Sequence, residues 1–209
     1  MEMPGNLTAP RGILLAGLLT LAAPAALAAP AAQAPDAGTI IRAGNGHGAP
    51  PCQACHGIDG AGQPAAGFPR LAGLNATYLR KQLDELASGS RVNAVMGPTA
   101  KALDSAERAA LAEYYSKLPP PTAPATPLAT MPAADSVGAW LANRGRWSVQ
   151  VPACIQCHGP AGVGVGANFP PLAGQSATYI EAQLKAWRQG SRHNTTTLLQ
   201  GTGLRKVGT

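Results

Sequence analysis

The chain has 209 residues, a formal net charge of +6, only 12% charged and 4% aromatic residues, and a high content of Gly (25) and Pro (20). This is enough for one ordinary domain or two small ones, but so few aromatics cannot fill a large core, and a small domain of this kind often needs a bound cofactor or metal. The basic residues are scattered, with no run longer than the pairs Arg80-Lys81 and Arg205-Lys206 and no interleaved aromatics, which excludes a nucleic-acid-binding stripe.

From the N-terminus, Arg11 precedes an apolar run from Ile13 to Leu21, then small residues with an A-x-A pattern at Ala26-Leu27-Ala28. A charged start, an apolar stretch too short to span a membrane comfortably and a small-residue cleavage site predict a signal peptide over 1–28. The mature protein is expected to be soluble and exported, into a compartment where four cysteines could simply form two disulfides.

The first two cysteines lie in "CQACHG", Cys52 to Gly57, and the other two in "CIQCHG", Cys154 to Gly159. A zinc site needs four ligands, and each CxxCH offers three, with only His47 near the first. A thioredoxin-type pair belongs after a strand in a βαβ setting, and no strand pattern is present. A plain disulfide leaves both histidines unexplained. C-x-x-C-H is the attachment signature of c-type haem: two thiols reach two vinyl groups from one helical turn, and the adjacent histidine turns to the iron from the same side. Two such motifs predict two covalently bound haem c groups, on Cys52 and Cys55 and on Cys154 and Cys157, with His56 and His158 as iron ligands.

After the first motif comes a Gly-rich loop, then "FPRLAGLNATYLRKQLDELASGSRVN", Phe68 to Asn93. Asn75 can cap a helix carrying Tyr78, Leu79, Gln82, Leu83 and Leu86 at helical spacing, ended by Gly89. Met96 follows, placed by this reading in a loop before a second helix, and is the candidate sixth ligand of the first iron. Asp104 and Glu107 form the D-x-x-E start of that second helix, with Leu111, Tyr114, Tyr115 and Leu118 on or near one face. Residues 119–135 are dominated by Pro and small residues and read as a linker.

The pattern then repeats. "FPPLAGQSATYIEAQLKAWRQGSRHN", Phe169 to Asn194, matches the first segment at 14 of 26 positions without a gap, and Ser176 takes the place of Asn75 as helix cap. Two homologous small domains are therefore expected, over 36–118 and 136–209, both all-α. The repeat breaks at its end: Thr197 stands where Met96 stands in the first copy, and 12 residues follow it, without a helix pattern.

These two CxxCH units, the Pro-rich joint and the "FPRLAG…TYL…QL…GSR" and "FPPLAG…TYI…QL…GSR" blocks resemble the dihaem cytochrome c4 family. The resemblance covers about Gly38 to Asn194. It implies two class I cytochrome c folds facing each other across a pseudo-twofold, and one-electron transfer in the periplasm. It implies redox partners such as a terminal oxidase or a quinol-oxidising complex, with peripheral association at the membrane surface, and no bond-making catalysis. Carried over residue by residue, His56 and Met96 are axial to haem one and His158 is proximal to haem two. The second domain departs from the pattern, lacking its methionine and the last helix that in this fold packs across the first. A natural truncation or shifted reading frame, a second haem open to a small molecule, and ligation by His193 in the place of Val92 are the readings of that departure. A haem enzyme using the open site, or a subunit of a larger oxidoreductase, are the alternatives to a free carrier.

Overall fold

The computed structural model describes residues 36–121 and 136–193. The expected signal peptide, most of the linker and the tail from Asn194 onward, Thr197 included, lie outside these residues. All described regular structure is helical, with only isolated β-bridges besides.

Helix α1 spans Ala37–Ala43, and the Asp36 side chain accepts from the backbone N–H of Gly38 and Thr39. Helix α2, Gln53–His56, is the first CxxCH turn. Helix α3, Ala76–Ser88, begins at Asn75, whose side chain accepts from Tyr78 N–H, and ends at Gly89 in the left-handed conformation, as its sequence predicts. Helix α4 spans Met96–Lys101 and α5 spans Ser105–Lys117; Asp104 and Glu107 form the expected reciprocal capping box on α5.

The expected placement of Met96 in a loop is corrected by α4, of which Met96 is the first residue. The Asn93 carboxamide oxygen accepts from both Val95 N–H and Met96 N–H, satisfying donors that a helix start leaves open. Pro98 sits in the first turn, where its missing N–H costs nothing.

Helices α1, α3 and α5 pack around Ile40, Ile41, Leu74, Leu79, Leu103, Leu111, Ala112 and Tyr115, all buried. Each large aliphatic side chain so removed from water contributes about 1.5–3 kcal/mol, before conformational entropy is counted against it.

The second copy repeats the order with α6 (Val137–Arg144), α7 (Cys154–His158) and α8 (Ala177–Arg188). The Ser176 hydroxyl accepts from Tyr179 N–H and caps α8 in the way that Asn75 caps α3. The sequence pattern did not single out α1 or α6, which are short and preceded by Pro- and Ala-rich chain.

The copies meet through matching residues. Val92 N–H donates to Ser191 C=O at 2.8 Å beside an antiparallel bridge between Arg91 and Arg192. Arg91 donates to Gln82 Oε1 (2.9 Å), Gln183 Oε1 (2.8 Å) and Tyr179 Oη (3.0 Å). Arg192 mirrors it, donating to Gln183 Oε1 (2.8 Å), Gln82 Oε1 (3.0 Å) and Tyr78 Oη (3.2 Å). Its guanidinium also lies 4.2 Å from the centre of the Trp187 ring.

Candidate haem sites

In each copy one helical turn carries the two thiols and the imidazole. His56 N–H donates to Cys52 C=O at 3.0 Å, so Cys52, Cys55 and His56 share that turn. No disulfide joins any of the four cysteines. Desolvation raises the pKa of the Cys52 thiol.

The chain then folds back over the histidine. Gly62 N–H donates to His56 C=O (2.9 Å) and Gly164 N–H to His158 C=O (2.6 Å). Leu71 and Ala72 N–H both reach Gly60 C=O, as Leu172 and Ala173 N–H reach Gly162 C=O. A Cβ on Gly62 would lie 2.6 Å from Phe68 C=O oxygen, and one on Gly164 would lie 2.7 Å from Pro171 N, both at positive φ. Only glycine admits this approach.

The fold-back delivers one backbone carbonyl to each imidazole. His56 Nδ1 lies 2.9 Å from Pro69 O, and His158 Nδ1 lies 2.7 Å from Pro170 O. A carbonyl only accepts, so Nδ1 carries the proton and the Nε2 lone pair is left for a metal. Phe68 and Phe169 stand beside the two rings, with centroids 6.3 and 5.9 Å away. His56 is buried, and desolvation lowers its pKa, keeping it neutral as a ligand must be.

Two thiols, a neutral imidazole of fixed tautomer and a Gly-lined fold-back fit the edge and iron of a covalently held haem. The buried Arg70 Nε has no hydrogen-bond partner within the protein and the buried Tyr115 hydroxyl lies beside the Cys52 thiol, as expected of groups that face a bound cofactor. Met96 is half-buried at the start of α4, and His193 is exposed. Among the described residues no other group of three or more His, Cys, Asp or Glu side chains forms a metal site.

Sequence reasoning singled out the two CxxCH motifs and missed the groups that support them. The carbonyls of Pro69 and Pro170 belong to the "FPxLAG" block shared by both copies, and that shared block was the available signal. Arg70 and Gln175 escaped notice because each differs between the copies, where Pro171 and Leu74 stand instead.

The cytochrome c family model matches residues 42–119 and again 142–204. A thiosulfate dehydrogenase electron acceptor of Stutzerimonas stutzeri is 54% identical over 150 residues, covering 72% of this chain and 68% of its own length. One of the same name from Thiomonas intermedia is 59% identical over 148 residues, covering 69% and 67%. Among solved structures, cytochrome c4 of Pseudomonas stutzeri superposes with a TM-score of 0.60 at 35% identity, covering 71% of this chain and 80% of that one. A thiosulfate dehydrogenase of Marichromatium purpuratum gives 0.68 at 40% identity and covers 79% of this chain, which spans only 35% of that longer one. With the matched model falling once on each copy, the chain belongs to the cytochrome c family: it is an all-α, dihaem, c-type electron carrier related to cytochrome c4, with two covalently attached haem c groups.

Proposed function

We propose that the protein is an exported carrier that receives single electrons from a thiosulfate-oxidising dehydrogenase in the periplasm and passes them into a respiratory chain. The donor is inferred from the printed names of its relatives. Export is inferred from Arg11, the apolar run and Ala26-Leu27-Ala28. No helix among the described residues is long and apolar enough to cross a membrane. A terminal oxidase is the acceptor in this reading, and the chain itself makes and breaks no substrate bonds.

The observation that carries the reading is the twice-built turn, in which a proline carbonyl holds the histidine that follows two thiols. In it Cys52 and Cys55 anchor haem one, His56 and Met96 ligate its iron, Cys154 and Cys157 anchor haem two, and His158 is its proximal ligand. Bound haem supplies one-electron cycling between ferrous and ferric iron. The protein fixes the imidazole tautomer, excludes water from the His56 side and presents a thioether that favours the reduced state. The test is reduction of both haems by thiosulfate in the presence of a thiosulfate dehydrogenase, followed optically. Both Soret bands are expected to shift within the mixing experiment, and failure of either haem to accept electrons overturns the assignment of donor.

A second reading, that haem two is open to small ligands, is favoured by Thr197 in the aligned place of Met96. Carbon monoxide binding to one haem of the reduced protein supports it, and two inert haems refute it.

A further inference from the structure

The Pro69–Arg70 peptide is hydrogen-bonded at both ends, and the two bonds lead to different domains. Its carbonyl oxygen accepts from His56 Nδ1–H at 2.9 Å. Its N–H donates to Gln175 Oε1, in the second copy, at 3.0 Å. The carboxamide is fixed in this sense because its Nε2 donates to Arg70 C=O at 3.1 Å, and a flipped amide would put donor against donor and acceptor against acceptor. Gln175 Oε1 also accepts from Ser176 N–H at 3.1 Å. Arg70, 2% exposed, braces the junction by donating to Ala72 C=O (2.7 Å) and to Ala173 C=O across the interface (3.0 Å).

We propose that Gln175 is a positioning residue that tunes the proximal ligand of haem one from the other domain. The inference rests on His56 being that ligand. An amide whose N–H donates shifts electron density onto its carbonyl oxygen, because nitrogen and oxygen share one delocalised system. Each bond in such a chain strengthens the next, by perhaps 10–30% in condensed phase. Gln175 therefore makes Pro69 C=O a better acceptor for the His56 Nδ1 proton. A stronger Nδ1–H hydrogen bond draws that proton toward the carbonyl and makes Nε2 a more basic ligand, and a more basic ligand stabilises ferric iron over ferrous.

The link runs in one direction only. In the second copy the residue after Pro170 is Pro171, which has no N–H to donate. The residue aligned with Gln175 is Leu74, which has nothing to accept with. His158 still donates to Pro170 C=O, but no described group of the first copy reaches that peptide's nitrogen. The second domain thus adjusts the first haem without the reverse, through a single amide plane.

The experiment uses the haem-loaded full-length chain and compares Gln175→Leu, which installs the residue of the first copy, in three backgrounds. In the native background the ferrous-to-ferric ratio of haem one at fixed poise is expected to rise about threefold, about 28 mV at 59 mV per tenfold for one electron, while haem two stays put. On top of Arg70→Ala, which keeps the N–H but removes the guanidinium, the same threefold change is expected. On top of Arg70→Pro, which removes the N–H, Gln175→Leu is expected to add nothing. The proposal is overturned if Gln175→Leu moves neither haem, moves both alike as a loosened interface would, or adds its shift in the Arg70→Pro background. Nitrogen-labelled histidine NMR separates this from failure of the ligand assignment. The chain has four histidines, and two iron-bound imidazoles are expected. If the signal of His56 is not iron-bound in the native protein, the assignment fails. If it is iron-bound and its Nδ1 proton does not move in Gln175→Leu, the relay alone fails.

Discussion

Leu86 in α3 is 5% exposed, whereas Trp187, its aligned counterpart in α8, is 37% exposed. Ile40 of α1 is 4% exposed and Trp140 of α6 is 40% exposed. Helices α3 and α8 start with the same kind of side-chain cap and run to similar length, so local chain chemistry is alike in these two. What differs is the neighbour. In the first domain α5 lies against both α1 and α3 through Leu111, Ala112 and Tyr115, and no described element does so for α6 and α8. Caps and spacing decide that a helix forms; a third helix decides whether its apolar face leaves water.

The sharpest way to break the contrast between the domains is at the iron. Met96→Ala is expected to abolish the weak sulfur-to-iron absorption band, lower the potential of haem one and let it bind carbon monoxide. An unchanged optical spectrum and potential would make Met96 core filler. Next in size is packing. Leu111→Ala removes a buried side chain from the only such cluster among the described residues and should cost the first domain about 2–5 kcal/mol. Leu184→Ala, at a site 56% exposed, should stay within about 0.5 kcal/mol. Denaturant titration monitored at each haem distinguishes the two.

A matched pair sharpens the comparison from the other side. Asn75→Ala and Ser176→Ala each remove the one side-chain cap of an equivalent helix and should each cost about 1 kcal/mol, because capping is local and indifferent to what packs against the helix. Unequal losses in thermal melts would show that packing feeds back on the caps. The smallest effect concerns α1. The hydrogen bond from Thr39, with help from the Gly38 and Thr39 backbone and from Arg42, holds the Asp36 carboxyl below its ordinary 3.8. A depressed folded value means that its contribution is present above the unfolded pKa and is lost as pH falls through the folded one. Acid below about pH 3.8 should thus loosen α1, and Asp36→Asn should remove that pH dependence in amide hydrogen exchange. Helix α6, whose Ser136 makes no side-chain cap bond, should show no such step.

The repeat made most of this legible in advance. Cys52, Cys55, His56 and their counterparts stand at a spacing that only one chemistry uses fully, and Asn75, Gly89 and the Asp104–Glu107 box mark helix ends by short-range rules. The short helices α1 and α6 were not legible, since their apolar faces are too brief to show a period. Met96 was misplaced because the Asn93 side chain, three residues upstream, accepts from its N–H at the start of a helix of only six residues, too short to show a period. The Arg91, Arg192, Tyr78 and Tyr179 junction needs two segments about a hundred residues apart in sequence to meet, and no local pattern announces that.

That junction is laced by hydrogen bonds, with each glutamine oxygen serving both guanidiniums. Between separate molecules such a contact would be weak, because each polar group gives up water to make it and two like charges are brought side by side. Joined by the seventeen residues 119–135, the halves meet as parts of one chain rather than at bulk concentration, so a contact too feeble to recruit a partner suffices to keep one. Loss of Arg91 or Arg192 then shows itself as slower passage of electrons between the haems, not as two halves drifting apart.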